Sequence, residues 1–472
     1  MKKVLSLVLI LLICSFWAAF LNNPVVKAEP KTIVVPDDYP TIADAVGNAS
    51  PGDTVFVRKG NYAGGIALNK PITLKGEDAE STIIVGGTTL EELSPALTFV
   101  KNTNSEKPTS TKCSFAKADT ATQLDLQTAS LKSQLVNVIP PFTFGVYINS
   151  SDVTISGFTI MGGTRAILGN GDRLQINENI LGFCILGGSD IIVANNTRIG
   201  LQISGFHNLI VGNVGSLILV SSNSTVFDNS LNTFDLENAY SNIIVNNTLS
   251  GANMGLWIGS SITSAPKKCS YNLFAGNKIE NCGLWGILMG EGSYNVFFGN
   301  IVENTGVGIG HDGYGLALGG THLVAENNLF LRNIFVNNSK NFGTNWAVEG
   351  ANSFDDGKEG NYWDDYLTMY PNASEVGESG TGDTPYLLVD MNVDNHPLLN
   401  QPNVSDKVPT LPEPWSSLLS SPDAPSIPEG PLIPEFPSWT PTLLILIVLA
   451  VAVAIYKRKL PKTDNSAIIL GD

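Results

Sequence analysis

The chain has 472 residues, 43% hydrophobic and 15% charged, with 46 glycines and 26 prolines, a composition that can fill a long core, makes many turns and excludes intrinsic disorder. Its 27 basic and 43 acidic side chains leave a formal charge of −16, the wrong sign for holding phosphate backbones, so nucleic acid is excluded as a partner.

The chain opens with an export signal over residues 1–28. Lys2 and Lys3 precede an apolar run from Val4 to about Leu21, and Val26, Lys27 and Ala28 offer a small-residue cleavage site. An uncleaved signal anchor is the alternative reading of the same run. From Thr32 to Glu77 the pattern predicts a strand, a short helix near Thr41 to Asn48, and further strands ending at Gly60 and Gly76. A polar insertion over residues 101–138 then interrupts the pattern and carries a helical stretch in TATQLDLQTASLKSQLV.

The middle of the chain repeats itself. QINEN, IVANN, LIVGN, TVFDN, IIVNN, LFAGN, VFFGN and LVAENN close on Asn179, Asn196, Asn213, Asn229, Asn247, Asn277, Asn300 and Asn328, at intervals of 17, 17, 16, 18, 30, 23 and 28 residues. So short a period cannot bury a core alone, so each unit must stack on its neighbours. The apolar residues alternate with the strand period of two, and Gly, Asn and Ser punctuate them, so the coils are β. The expected fold is all-β: a parallel β-helix solenoid over residues 29–400, right-handed because the hexapeptide pattern of left-handed versions is absent. Coils stack about 4.8 Å apart, so the asparagines form a line, suited to a tight left-handed turn and to amide hydrogen bonding between coils. The short helix plugs the open first coil, which has no partner above it.

The rest sets the address. Residues 353–400 form a C-terminal cap. The linker, residues 401–438, has prolines three apart at Pro422, Pro425, Pro428, Pro431, Pro434 and Pro437, favouring an extended polyproline spacer. Residues 439–459 contain LLILIVLAVAVAIY followed by Lys457, Arg458 and Lys459, which predicts a transmembrane helix with residues 460–472 as a cytoplasmic tail. The expectation is a single-pass cell-membrane protein whose body faces the extracellular or periplasmic side.

If Leu256 and Ile258 face the core, alternation turns Trp257 outward, and the same phase turns Ile185, Gln202 and Ile218 outward on earlier coils. Such a stripe is either covered, for instance by the insertion, or used. Aromatic faces suit sugar rings, and the coils from Asn247 to Asn328 are lengthened, making them the expected walls of a groove; the candidate glycan-binding set is Trp257, Trp285, Tyr294, His311, Asp312 and Tyr314, with Tyr271 nearby. Asp355, Asp356, Asp364, Asp365 and Asp383 are candidate calcium ligands in the cap, with solvated turn residues as the plainer reading. Sequons at Asn48, Asn149, Asn195, Asn223, Asn246, Asn337, Asn372 and Asn403 are candidate glycosylation sites in an exported protein. Cys184 falls on an inward phase, and Cys269 and Cys282 flank Asn277 at a spacing that allows them to pair.

The opening TIVVPDDYPTIADAVGNASPGDTVFVRKGNYAGGIALNKPITLKGE resembles the start of many right-handed β-helix proteins, including pectin methylesterases and the carbohydrate-binding and sugar-hydrolase class. SFDDGKEGNYWDDY (353–366) and GTGDTPYLLVDMNVDNHPLL (380–399) resemble the C-terminal end of NosD-like proteins, a family described as periplasmic and copper-binding. The resemblance covers residues 32 to about 400 and implies a β-helix that handles copper. IPEFPSW resembles the PEF sorting tail of archaeal surface proteins and implies processing there. The histidines are His207, His311, His322 and His396, and the nearest copper set is His311, His322 and Met289. Calcium and copper are thus the cofactors considered, neither being required. No QAVAL-like or QDTL-like phrase follows NYAGG, and no polygalacturonase-like aspartate cluster is present, which argues against those enzymes. The expected function is binding of glycan or envelope polymer at the cell surface, or surface scaffolding. A polysaccharide lyase or hydrolase with a non-standard site is the alternative, and NosD-like copper handling the third.

Overall fold

The computed structural model describes residues 29–86, 144–259, 269–307, 313–319, 325–344, 350–389 and 391–403. The predicted signal, insertion, membrane segment and tail, and nearly all of the linker, lie outside them. The chain divides into two compact units, Met1–Leu186 and Gly187–Asp472.

In the first unit, strands Thr32–Val35, Thr54–Val57, Thr73–Gly76, Thr154–Ser156 and Gln175–Asn177 stack in parallel. Strand alternation puts Ile33, Val55, Leu74, Ile155 and Ile176 in one inward column, each no more than 4% exposed. Strand Ile66–Leu68 pairs directly with Val146–Ile148, and Thr82–Gly86 with Thr159–Gly162, so the stack continues across the gap that holds the insertion. The helix Ile42–Asn48 begins where expected. The Thr41 hydroxyl accepts the Asp44 N–H at 3.1 Å and donates to the Asp44 carboxylate, while Ile42, Ala45 and Val46 are buried against the first strands. Lys70 Nζ reaches the carbonyls of Gly47 and Ala49 at 2.8 Å, satisfying acceptors left open where the helix ends.

In the second unit one sheet stacks Ile192–Ala194, Leu209–Val211, Thr225–Phe227, Ile243–Val245, Leu273–Ala275, Val296–Phe298 and Leu329–Leu331. The other stacks Thr197–Phe206, Val214–Ser222, Ser230–Glu237, Met254–Gly259, Trp285–Met289, Tyr314–Leu318 and Lys340–Thr344. All these pairings are parallel, as the stacked repeats require. Inside, the rings of Phe274, Phe297, Phe330 and Phe354 stack at centroid spacings of 4.6, 4.5 and 4.8 Å, which is the coil repeat itself.

The asparagine line is real but has two strands of its own. Asn196, Asn213, Asn229, Asn247, Asn277, Asn300, Asn333 and Asn361 form one ladder in which each Oδ1 from Asn213 onward accepts both the backbone N–H and the Nδ2 of the preceding rung at 2.9–3.1 Å. Each Nδ2 from Asn213 to Asn300 also donates to a carbonyl of the preceding coil. A second ladder runs Asn242, Asn272, Asn295, Asn328, Asn352 and Asn392. The sequence register is therefore corrected at its last marker: after Asn300 the first ladder continues to Asn333, and Asn328 belongs to the second. The turn assignment is corrected as well. The rungs are buried, and the left-handed residue is the one before, as at Asn195 (φ 55°), Asp228 (φ 54°) and Asn246 (φ 54°). An interior amide is tolerated because every donor and acceptor is met.

Both ladders end on one short strand. Asn392 accepts from Asn352, and Asp394 accepts the Asn361 N–H at 2.8 Å and the Trp363 Nε1–H at 2.9 Å, with the His396 N–H on its other oxygen at 3.1 Å. Trp363 stacks between Phe335 at 4.4 Å and Tyr386 at 4.6 Å. GNYWDDY and VDMNVDNH are thus the cap that closes the solenoid's amide rows and aromatic core.

Burial pushes the Asp394 carboxyl up to about 7, against the donors that favour its anion. A carboxyl raised on folding lends stability that is full below its unfolded value near 4 and is lost as pH rises through about 7. The stability of the protein minus that of Asp394→Asn should therefore decline between pH 4 and 7 in denaturant titrations. A flat difference would contradict the assignment.

Candidate functional site

The outer face of the second sheet in the second unit carries a half-buried column with an aromatic ring and a carboxylate on adjacent rungs. Register places Gln202, Ile218, Asp235, Trp257, Leu288 and Ala317 in one outward column, between the inward columns of Leu201 and Ile203. Trp257 is half-buried and outward as alternation predicts, while Leu256 and Ile258 are 3% and 0% exposed. Its ring lies over Gly259: a Cβ there would meet the ring at 2.8 Å, so the glycine makes its seat. Leu288 and Ala317, although outward, are buried, so the open part of the column runs from Gln202 to Trp257.

Of the predicted glycan-binding residues, the structure brings three onto this sheet. Trp285 and Tyr314 are direct partners on neighbouring coils, and Met254 is the partner of Trp285 on the strand that carries Trp257. Lys340 Nζ sits 5.7 Å from the Tyr314 ring centroid. Tyr294 lies apart: it stacks on Tyr271 at 5.3 Å and packs against the outer side of the other sheet, on Ile243, Leu273 and Val296. His311 and Asp312 lie outside the described residues.

Sequence reading missed Asp235. It occupies the rung between Ile218 and Trp257, one coil on from a stripe already traced, so its position was available from the period. Burial pushes its carboxyl up to about 6, the neighbouring Glu237 adds to that, and the Thr233 hydroxyl, donating at 3.3 Å, opposes it.

The five candidate calcium ligands do not converge. Asp355 accepts from Asn395, Gly357 and the His396 ring; Asp356 caps the turn at Lys358 and Glu359. Asp364 and Asp365 share the Asn341 amide, and Asp383 accepts from Ser374 and Thr384. Burial works to raise Asp355, but the N–H groups of Asn395 and Gly357 and the His396 ring outweigh it and hold its carboxyl below the ordinary value. Among the described residues no three His, Cys, Asp or Glu side chains are placed to hold a metal ion.

Copper fares no better there. Cys184, Cys269 and Cys282 are buried free thiols, each pushed up to about 12 chiefly by burial, so none offers a thiolate. The Cys269 to Cys282 pairing that the spacing allows is not formed: Cys269 instead donates to the Leu236 and Gly259 carbonyls, and Cys282 toward that of Glu280. Met289 is 0% exposed on the inward column, so it is a core side chain rather than a surface ligand. His311 and His322 lie outside the described residues, and His207 and His396 are each near a single carboxylate, Asp190 and Asp355. The described residues do not fit a copper site.

Several sequons follow from the ladder. Asn195, Asn246 and Asn337 are left-handed corner residues followed by an amide that donates to a neighbouring carbonyl, and Asn223 is a corner followed by Ser224. The Asn246 amide donates to the Asp228 carboxylate and that of Asn337 to Asn304. Asn149, Asn372 and Asn403 are exposed.

Stacked parallel coils with buried amide ladders and a capped C-terminal end define a parallel β-helix repeat protein. Residues 46–368, more than half of the chain, match the family described as "Periplasmic copper-binding protein (NosD)", and the chain belongs to that family. Among solved structures it is similar to the Dettilon tailspike protein, with 12% identity and a TM-score of 0.44 over 70% of this chain and 66% of that one. It is also similar to an alginate lyase from Paenibacillus sp. str. FPU-7 (11%, TM-score 0.36, 68% and 98%) and to the A-module of an Azotobacter vinelandii mannuronan C-5 epimerase (12%, TM-score 0.37, 68% and 86%). No curated protein matches the sequence.

Proposed function

We propose that the outer face around Trp257 binds a polysaccharide or other envelope polymer, on a right-handed β-helix body held outside the membrane by the C-terminal apolar segment and its proline spacer. The observation that carries this reading is the half-buried Trp257 ring, outward on its strand and seated over Gly259. A ring held in that way offers a flat apolar face to a sugar without paying for its own ordering on binding. Trp285 and Tyr314 are in register on neighbouring coils of the same sheet, in a column three residues along the strand from that of Trp257. Right-handedness is supported by the strong general preference of parallel crossovers.

Replacing Trp257 by Ala should weaken polysaccharide binding several-fold or more, since a stacked aromatic contact contributes on the order of 1 kcal/mol beyond burial. The melting temperature should stay near that of the parent, because the ring is outside the core. Gly259→Ala should reproduce part of the loss by displacing the ring. Parent-like binding of every tested polymer by a folded Trp257→Ala protein would remove the face as the site and leave scaffolding.

A further inference from the structure

Asp235 stands beside Trp257 in register on the adjacent coil, and its carboxyl is half-buried on the same outward column. Among the described residues its hydrogen bonding is limited to the Thr233 hydroxyl at the long distance of 3.3 Å, and no Lys or Arg lies in ion-pair contact with it. Glu237, two residues along the strand and therefore on the same face, is the other charged group turned toward it. Its partners across the sheet, Ile218 and Trp257, and Gln202 beyond, carry no charge. A partly desolvated carboxyl with a second carboxyl nearby and, among the described residues, no cation in contact with it is a costly arrangement unless something positive completes it.

We propose that Asp235 makes the Trp257 face a subsite for the ammonium group of an amino-sugar polymer, so that the protein prefers hexosamine chains to neutral ones and rejects uronates. The inference rests on the glycan reading above. Trp257 and Asp235 are register partners about one coil spacing, ~4.8 Å, apart, and Gly259, over which the ring lies, partners Glu237, so the substituents of a pyranose stacked on the ring are within reach of both carboxylates. An ammonium there gains attraction that water screens only in part, whereas a uronate carboxylate meets Asp235 and Glu237 as like charges. Because burial raises the Asp235 carboxyl to about 6, the attraction should be present at pH 7 and shrink at pH 5, where the group is largely protonated.

The test is calorimetric titration of the full protein with a glucosamine hexamer, its N-acetylated counterpart and an oligouronate of equal length. At pH 7 the glucosamine hexamer should bind about tenfold more tightly than the N-acetylated one, a difference of 1.4 kcal/mol, and the oligouronate should not bind measurably. In Asp235→Asn the preference should vanish while N-acetylated binding persists; Trp257→Ala should weaken both hexamers. Tight, Trp257-dependent binding of the N-acetylated hexamer without preference for the amine overturns this proposal alone, as does a preference retained in Asp235→Asn. A lysine-rich peptide bound as tightly as the hexosamine and unaffected by Trp257→Ala overturns it in favour of a peptide partner. Binding of none of the three oligomers, nor of any neutral polysaccharide, overturns it together with the glycan reading.

Discussion

Replacing Asn229 by Leu should cost the second unit several kcal/mol, although leucine has a similar branched outline and the position is buried. Its Nδ2 donates to the Ile210 and Phe227 carbonyls and to Asn247 Oδ1, and its Oδ1 accepts the N–H and Nδ2 of Asn213, all at 2.9–3.0 Å. Leucine leaves each of these five partners short of a bond at a buried position. Such orphaned groups cost about 1–3 kcal/mol apiece before relaxation, so a loss on the order of 4 kcal/mol or more is expected. Asn195→Gly is the control two coils away. That residue is an exposed corner at φ 55°, a conformation glycine adopts freely, and its replacement should shift stability by only a few tenths of a kcal/mol. Denaturant melts showing similar losses for both would mean that the interior row is not what holds the coils in register.

The second large effect is expected at Ile203, which is 0% exposed and pairs with Leu219, the next residue in an inward column that continues through Leu236 and Ile258. Aspartate there would bury a charge with no partner. The group must stay protonated or the coil must open, and either costs several kcal/mol. Coils support one another only through neighbours, so proteolysis should cut first near this coil while the far cap stays folded longer. An unchanged melting temperature would contradict the register.

The body was legible because its physics is periodic. Alternation alone turns Trp257 outward and Cys184 and Ile203 inward, and the sequence pattern from Thr32 to Glu77 marks the plug helix near Thr41 to Asn48. The errors share a cause: similar residues recur one position or half a coil apart. In doublets such as Asn195–Asn196 and Asn246–Asn247 the corner and the buried rung look alike in one dimension, so the left-handed role was given to the wrong partner. Once the coils lengthen beyond Asn247, the period no longer separates the two ladders, and Asn328 of the second is indistinguishable by spacing from Asn333 of the first. Cys269 and Cys282 could be placed on adjacent segments but not oriented, and their thiols turn to different carbonyls. The cap motifs were recognisable as phrases, yet their roles required the structure: Asp394 and Asn392 close the ladders only because the chain folds back from Tyr386. For the candidate site, sequence found the aromatic rungs and missed Asp235, whose place depended on carrying the column through one more coil.

The most direct test of the central claim is hydrogen exchange on the full protein with and without a saturating bound polysaccharide. Exchange should slow in the Met254–Gly259 and Ser230–Glu237 strands and in the adjoining Trp285–Met289 strand, and this protection should be lost in Trp257→Ala. Protection confined to the first unit, or to the Tyr271 and Tyr294 side of the second, would contradict it.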